Sequence, residues 1–380
     1  MPSVAIIGTR GYPSYYGGFE TAVRKLAPFL CDAGWDVTVY GRPGATLPHD
    51  AQRDERVNAV ETFGIESKSL STLSFGYSAT NDAVRRKVDA ALVMNVANGF
   101  WLPTLRRANI PTLVNVDGIE WDRDKWSAIA KRAFKQGARL TAKHATKLVF
   151  DAEAIGDRWK TDFGREGIFL PYGGEPSAPQ SAPLGLPRRG YVLLVARFVP
   201  ENTISAFFDA VPRIQESAPV VIVGSTGYGG EFDERAAALA AAYERVQWLG
   251  HVSNDDLLAA LWQNAGVYFH GHSVGGTNPA LVQAMASGAP IVARDTVYNA
   301  EVLADGSQLC EPNADAIAAS IRGLLHDSRR QEAASARNQL RASKRYSWEN
   351  ICGGYESALR DLVGTRTTET SSAMRSAATS

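Results

Sequence analysis

Residues His270–Glu301 read HGHSVGGTNPALVQAMASGAPIVARDTVYNAE, and this stretch governs how the rest of the chain is parsed. The apolar residues just before it, Gly266–Phe269, suit the end of a buried strand. From Pro279 an amphipathic run through Leu281, Val282, Ala284 and Met285 reaches Gly288. Proline in a first turn and glycine just past the last are helix start and stop signals. Pro290–Ala293 then reads as a second short strand. A strand, a glycine-bearing loop, a helix N-terminus and another strand make a cradle whose backbone N–H groups and helix dipole favour an anion. An ordinary connector would also show this order, but it needs none of the polar groups crowded here: His270, His272, Ser273, Thr277 and Asn278.

Working outward, the chain has 380 residues, room for two domains of ordinary size. It carries 40 basic and 40 acidic residues, so no net charge points to nucleic acid. Cys31, Cys310 and Cys352 show neither metal spacing nor obvious pairing, which suits a reducing cytosol. No apolar run approaches the roughly 18 residues of a spanning helix. The expected protein is cytoplasmic, with a peripheral place on the inner face of a membrane as the second reading.

The opening repeats the theme. Val4–Ile7 is apolar; GTRGYPSYYGGFET follows from Gly8; then Ala22, Val23, Leu26, Ala27 and Leu30 keep helical spacing before the strand Asp36–Tyr40. The glycines do not fit GxGxxG, so a hydride-transfer cofactor has poor support. Alternating strands and helices continue through Ala90–Met94, Thr112–Val116, Lys147–Phe150 and Ile168–Leu170. We expect an α/β chain: a first Rossmann-like domain over 1–174, a Pro/Ser/Ala-rich linker over 175–189, and a second Rossmann-like domain over 190–345. A helix over 346–364 and a disordered tail over 365–380 complete the division. Two doubly wound halves would place a ligand in the cleft between them.

Four stretches in order, Gly8–Thr21, Asp117–Trp121, Arg197–Asn202 and His270–Pro279, resemble glycosyltransferase family 4, and within it the rhamnosyltransferase-like subgroup of bacterial polysaccharide synthesis. The resemblance runs from Val4 to about Leu362. It implies a GT-B fold of two facing Rossmann-like domains with a C-terminal helix crossing back. It also implies a nucleotide-sugar donor held mostly by the second domain, no metal, no cofactor, and transfer with retention.

The chemistry of such a transfer demands donors for a departing diphosphate. Arg197, at a strand end, matches the family arginine for that group. Asn202 stands where many relatives have lysine. Gly17 and Gly18 correspond to the flexible loop beside the donor phosphates, and Gly275, Gly276, Thr277 and Asn278 would line diphosphate and sugar. The family's two glutamates, separated by seven intervening residues, are replaced by Gly275 and Gln283. A neutral amide is the weaker acceptor for a ribose hydroxyl, which suits a deoxyribose donor or an altered preference. Asn299 and Glu301 match an Asn-x-Glu of the subgroup. Asp117, with Arg197 and His272, completes the candidate catalytic set: its carboxylate could orient or deprotonate the acceptor hydroxyl, or simply be a turn residue before Gly118. Glu20, Glu120 and Trp121 are acceptor-side candidates, Trp121 as a sugar-stacking face and Glu20 equally as a helix-start carboxylate.

Residues 123–147 carry eight basic residues and one acidic. Trp126, Ile129, Ala133 and Leu140 would share one helix face, opposite Lys125, Lys131, Arg132, Lys135, Arg139 and Lys143. Such a helix fits an anionic membrane surface or a solvated helix packed on its sheet. The leading expectation is rhamnose transfer from dTDP-rhamnose onto a lipid-linked saccharide. A UDP- or GDP-hexose donor is the alternative, as is a catalytically weakened subunit that binds sugar nucleotide.

Overall fold

The structure is a computed structural model describing residues 1–15, 17–66, 71–123 and 126–377, the backbone alone from 365 onward. It divides into two compact units: Met1–Pro171 with Glu349–Ser380, and Tyr172–Trp348. Lys125 of the basic run lies outside the described residues.

In the first unit the order is β1 Ser3–Ile7, α1 Gly18–Asp32, β2 Asp36–Gly41, β3 Asn58–Glu61, α2 Ser71–Arg86, β4 Ala90–Met94, α3 Leu102–Arg107, β5 Thr112–Asn115, α4 Ala128–His144, β6 Lys147–Phe150, α5 Glu153–Phe163 and β7 Ile168–Phe169. The seven strands form one sheet ordered β3-β2-β1-β4-β5-β6-β7, with parallel pairing throughout. β1, β2 and β4 are buried along nearly their whole length, as strands of a parallel sheet covered on both faces are. α1 buries Ala22, Val23, Leu26, Ala27 and Leu30, the stripe its spacing predicts. Order reverses between β1 and β4, and at such a switch point connections leave to opposite faces and open a crevice at the strand C-termini.

The second unit runs β8 Val192–Val195, α6 Ile204–Ile214, β9 Val220–Val223, α7 Glu231–Ala242, β10 Val246–Trp248, α8 Asp255–Asn264, β11 Val267–His270, α9 Pro279–Ala286, β12 Ile291–Arg294, α10 Val297–Leu303, β13 Leu309–Cys310, α11 Ala314–Leu325 and α12 Ser328–Arg345. Its sheet is ordered β10-β9-β8-β11-β12-β13, with its own switch point between β8 and β11. Phe207 stacks on Phe269 at 5.1 Å, and Phe198 meets Phe208 edge-on at 5.5 Å. These contacts sit in a core that includes Ile204, Val220, Ile222 and Ile321.

Residues 175–189 are not a free linker. They belong to the second unit, to which Gln263 ties Ser177 and Ala178 while Arg189 donates to the carbonyls of Ala265 and Gly288. Proline and serine made the segment irregular; its backbone groups still required partners. The last helix, α13, spans Trp348–Ala377 rather than ending near 364. Gly364 is a lone helical glycine with no proline after it, which weakens a helix without stopping it.

Candidate active site

In the second unit the switch point brings together two of the sequence-predicted motifs. Arg197 follows β8 and is exposed; the loop His272–Asn278 follows β11. The two loops are stitched to each other. Ser273 donates from both N and Oγ to the Glu201 carbonyl, at 3.0 and 2.8 Å. Thr203 donates to the Gly271 carbonyl, and Arg294 donates to the Thr203 hydroxyl at 3.1 Å. A side chain on Gly271 would start 2.4 Å from the Asn202 carbonyl, so only glycine permits this approach.

Asn202 is buried, and its Nδ2 donates to the Arg197 carbonyl at 2.9 Å. It therefore shapes the turn that presents Arg197, instead of standing in for a phosphate-binding lysine. Gly275 has φ of 92° with open space beyond its α-carbon, so backbone conformation is what requires glycine there. Gly276 and Thr277 are buried. Asn278 caps α9, its side chain accepting from the Ala280 N–H at 3.0 Å ahead of Pro279. This is the glycine loop and helix start that the sequence predicted.

His272 is half-buried, its ring stacked on His270 at 4.4 Å and 12°. His270 is fully buried, 3.0 Å from the Tyr268 hydroxyl, and burial and the His272 charge hold its pKa well below the ordinary value. A neutral ring there forms a rigid floor under His272. Asn299, expected as a donor ligand, is buried and spends its Nδ2 on the carbonyls of His272 and Arg294, both at 2.9 Å. It positions the loop. Glu301 is half-buried on α10, where its own carbonyl accepts from Arg341.

Gln283 departs most from expectation. Its Nε2 donates to the Glu175 carbonyl at 2.8 Å, and its Oε1 accepts from the Glu175 N–H at 3.1 Å. A carboxamide can satisfy both backbone groups and a carboxylate cannot, because it has no donor. The amide is a clamp on the segment entering the unit, and its assignment to the donor ribose is withdrawn. The neighbouring Gly174 is equally constrained: a side chain there would start 2.6 Å from the Val282 carbonyl.

In the first unit, Asn95 directly follows β4 and Asp117 lies two residues past β5, both non-glycine residues at positive φ, 70° and 63°. Strained pairs at adjacent strand ends are characteristic of functional sites. Asn95 caps the following turn through Oδ1 and donates from Nδ2 to the Asp117 carboxylate at 3.1 Å. Asn115 accepts from the Asp117 N–H at 2.9 Å while its Nδ2 donates to the buried Tyr355 hydroxyl of α13 at 2.7 Å. Burial first, then the negative charge of Glu120, pushes the Asp117 carboxyl up to about 6; Arg123, the Gly118 N–H and Asn95 oppose the rise. A carboxyl poised there can exchange a proton near neutral pH. Asn95 and Asn115 were missed from the sequence; an asparagine closing an apolar strand was the available signal.

Gly17 caps α1 with extended backbone and Gly18 begins the helix. Glu20 is buried and accepts from the Arg10 N–H at 3.0 Å, fixing the glycine loop from inside. Glu120 accepts from Arg123 at 2.7 Å and from the Trp126 indole at 2.6 Å, leaving it a structural ion pair beside Asp117. Trp121 is buried against Trp159 and Phe163 at 6.3 and 5.8 Å, which removes it as a sugar-stacking face. Among the described residues no group of three or more His, Cys, Asp or Glu is placed to hold a metal ion.

Comparison with known proteins gives these elements a family. Residues 180–341 match the profile of glycosyl transferases group 1, and residues 17–173 match the glycosyl transferase 4-like domain. The chain is 28% identical over 357 residues to the phosphatidyl-myo-inositol mannosyltransferase of Mycolicibacterium smegmatis, covering 88% of each chain. It is 29% identical over 361 residues to that of Mycobacterium tuberculosis H37Rv, covering 88% of this chain and 90% of that one. Over 167 residues, 43% of each chain, it is 26% identical to O-antigen chain mannosyltransferase B of Escherichia coli. Its fold matches sucrose-phosphate synthase from Thermosynechococcus elongatus with a TM-score of 0.78 at 18% identity, over 96% of this chain and all of that one. Anabaena HepE in complex with UDP-glucose matches at 0.74 and 16%, over 95% of this chain and all of that one. The chain belongs to the family 4 glycosyltransferases and has the GT-B fold, a 4-like domain in its first unit and a group 1 domain in its second.

Proposed function

We propose that this glycosyltransferase moves a hexose, mannose first among candidates, from a GDP- or UDP-sugar onto a lipid-linked acceptor at a membrane surface in cell-surface glycolipid or polysaccharide synthesis. The observation that carries the donor class is the full-length similarity to relatives named as mannosyltransferases. The rhamnose reading leaned on Gln283 as a weakened ribose ligand. With that amide engaged by Glu175, its support from the site is gone. In this reading Arg197 and the α9 N-terminus stabilise the departing diphosphate, with His272 beside them. Asp117 orients or deprotonates the acceptor hydroxyl. The membrane part rests on the exposed basic face of α4.

The decisive measurement is transfer of radiolabelled sugar from GDP-mannose, UDP-glucose and dTDP-rhamnose onto membrane lipid extract, with Arg197→Ala as control. Incorporation from a GDP- or UDP-hexose, lost in the variant, is expected. Incorporation from dTDP-rhamnose alone would restore the rhamnose reading, and nucleotide binding without transfer from any donor would favour a binding subunit.

A further inference from the structure

As a floor for His272 alone, His270 is a costly choice of residue. Alternate residues of β11 point to opposite faces of the sheet. Phe269 packs on Phe207 in the core, while Tyr268 and His270 share the other face, where Trp262 meets Tyr268 edge-on at 6.2 Å. His270 is fully buried, and its Nε2 has no hydrogen-bond partner. An unpaired polar atom in such a place costs free energy that a leucine or phenylalanine would avoid.

What the imidazole offers in exchange is orientation. Its Nδ1 lies 3.0 Å from the Tyr268 hydroxyl, and that hydroxyl reaches the Val195 carbonyl at 3.4 Å. Burial raises the Tyr268 pKa, so the phenol keeps its single proton. Both contacts are filled at once only when His270 donates from Nδ1 and Tyr268 donates to Val195. The pair thereby ties the end of β8, two residues before Arg197, to the end of β11, two residues before His272. His272 lies flat on the anchored ring, 4.4 Å away and 12° from parallel, while Asn299 donates to its carbonyl at 2.9 Å. Burial, then the His272 charge, keeps the His270 pKa well below its ordinary value. Of the two stacked rings only His272 is left to carry a proton, and a neutral aromatic face beneath it favours the charged form. The other charged side chains on the elements tied to His272 are Arg197 and Glu201 after β8, Arg294 and Asp295 at the end of β12, and Glu301 on α10.

We propose that Tyr268 and His270 are positioning residues, which hold His272 in one ring orientation on a neutral base so that it meets the departing diphosphate as an imidazolium. The diphosphate rests on the transferase reading; the stack does not. No proton changes hands in this role. The charge is present before the sugar leaves, and activity falls as pH rises through the His272 midpoint.

The test is imidazole NMR of the full chain, labelled at histidine and titrated with and without GDP or UDP, beside the kinetics of sugar transfer. Six histidines give six signals, of which His270→Phe and His272→Gln assign two. The His270 signal should not titrate between pH 5 and 9 and should report its proton on Nδ1, a preference lost in Tyr268→Phe. His270→Leu removes the aromatic face and leaves the surrounding charges in place. The His272 midpoint should fall there by about half a pH unit or more, and by less in His270→Phe, which keeps a ring. GDP or UDP should raise that midpoint in the parent, because the diphosphate favours the charged ring. In Tyr268→Phe, kcat should fall about tenfold with the donor KM within about twofold, as for a group that acts on charge developing in the transition state. A His270 signal that titrates, a His272 midpoint unmoved by His270→Leu or by nucleotide, or an unchanged kcat in Tyr268→Phe overturns the proposal. Should His270→Leu not fold, the parent and Tyr268→Phe decide. A nucleotide-raised His272 midpoint in a chain that transfers no sugar from any donor would leave the stack and its role at the diphosphate standing and remove the transferase reading.

Discussion

Asp117 combines a left-handed backbone, a carboxyl pushed up to about 6 and two asparagine partners. Because its folded pKa lies above the ordinary 3.8, the fold favours the protonated form. The stability this contributes is full below the unfolded value and is lost as pH rises through about 6. If the ionised carboxylate serves the acceptor hydroxyl, activity moves the opposite way and rises through the same window. Asp117→Asn keeps a residue tolerant of φ near 63°. It should lower the transfer rate by about 10²–10⁴, and it should raise Tm at pH 8 while leaving it unchanged at pH 4. Equal rates in parent and variant between pH 5 and 7 would assign Asp117 to the turn alone. Gln283 yields a second prediction at this scale. In Gln283→Glu the Glu175 carbonyl faces a carboxylate with nothing to donate. A stability loss of about 0.5–1.5 kcal/mol is expected in urea unfolding, because the clamp is exposed to solvent, with the order of donor preference unchanged. A switch in preferred nucleotide at unchanged stability would return Gln283 to the donor site.

At the scale of elements, the strands and the glycine-loop helices were legible because parallel strands are near-continuous apolar runs and α9 has a start signal in Pro279 and a stop signal in Gly288 just past its end. What was not legible was orientation. For α4 the pattern suggested that Trp126, Ile129, Ala133 and Leu140 face the sheet. The helix instead buries Gly137, Ala138 and Thr141, with Ile129 78% exposed. Closeness outweighed hydrophobicity: side chains on Gly99 and Gly137 would start 2.2 and 2.4 Å from the Gly137 and Val96 carbonyls, so the small residues mark the contact. A similar limit hid the roles of Asn202, Asn299 and Gln283, whose residue types fit a ligand as well as a backbone clamp. The turned α4 leaves Ile129 in one stripe with Arg132, Arg139 and Lys143, all exposed, while Arg106 reaches His144 at 3.4 Å. Burial, then the charges of Lys143, Arg106 and Arg107 around it, lowers the His144 pKa. An apolar residue within a basic stripe suits an anionic interface, where each basic residue contributes about 1 kcal/mol. Replacing Arg132, Arg139 and Lys143 by Gln should cut co-sedimentation with anionic vesicles by about a hundredfold in partition constant at low salt. Binding equal on neutral and anionic vesicles in the parent would end the membrane part of the proposal.

Across the whole molecule, the first unit is discontinuous: the chain leaves it at Pro171 and returns at Glu349. The returning helix α13 is part of that unit's core and of its chemistry. Ile351, Cys352, Tyr355, Leu359 and Leu362 are buried, Trp35 donates to Glu356 at 3.3 Å, and Tyr355 supports Asp117 through Asn115. At about 1.5–3 kcal/mol per buried apolar side chain, losing this face removes a free energy of the order of a domain's entire stability, about 5–15 kcal/mol. A chain ending at Pro171 should therefore fail to fold, and a chain ending at Trp348 should keep a folded second unit beside an unfolded first. Ending the chain at Gly364 keeps every one of these buried residues and should leave a cooperative thermal transition of the first unit in place. Co-expression of residues 349–380 with residues 1–171 should return the N-terminal fragment to solution. A cooperative unfolding transition in residues 1–171 alone would show that α13 docks onto a unit already able to fold, and that its tie to Asp117 adjusts the site without building it.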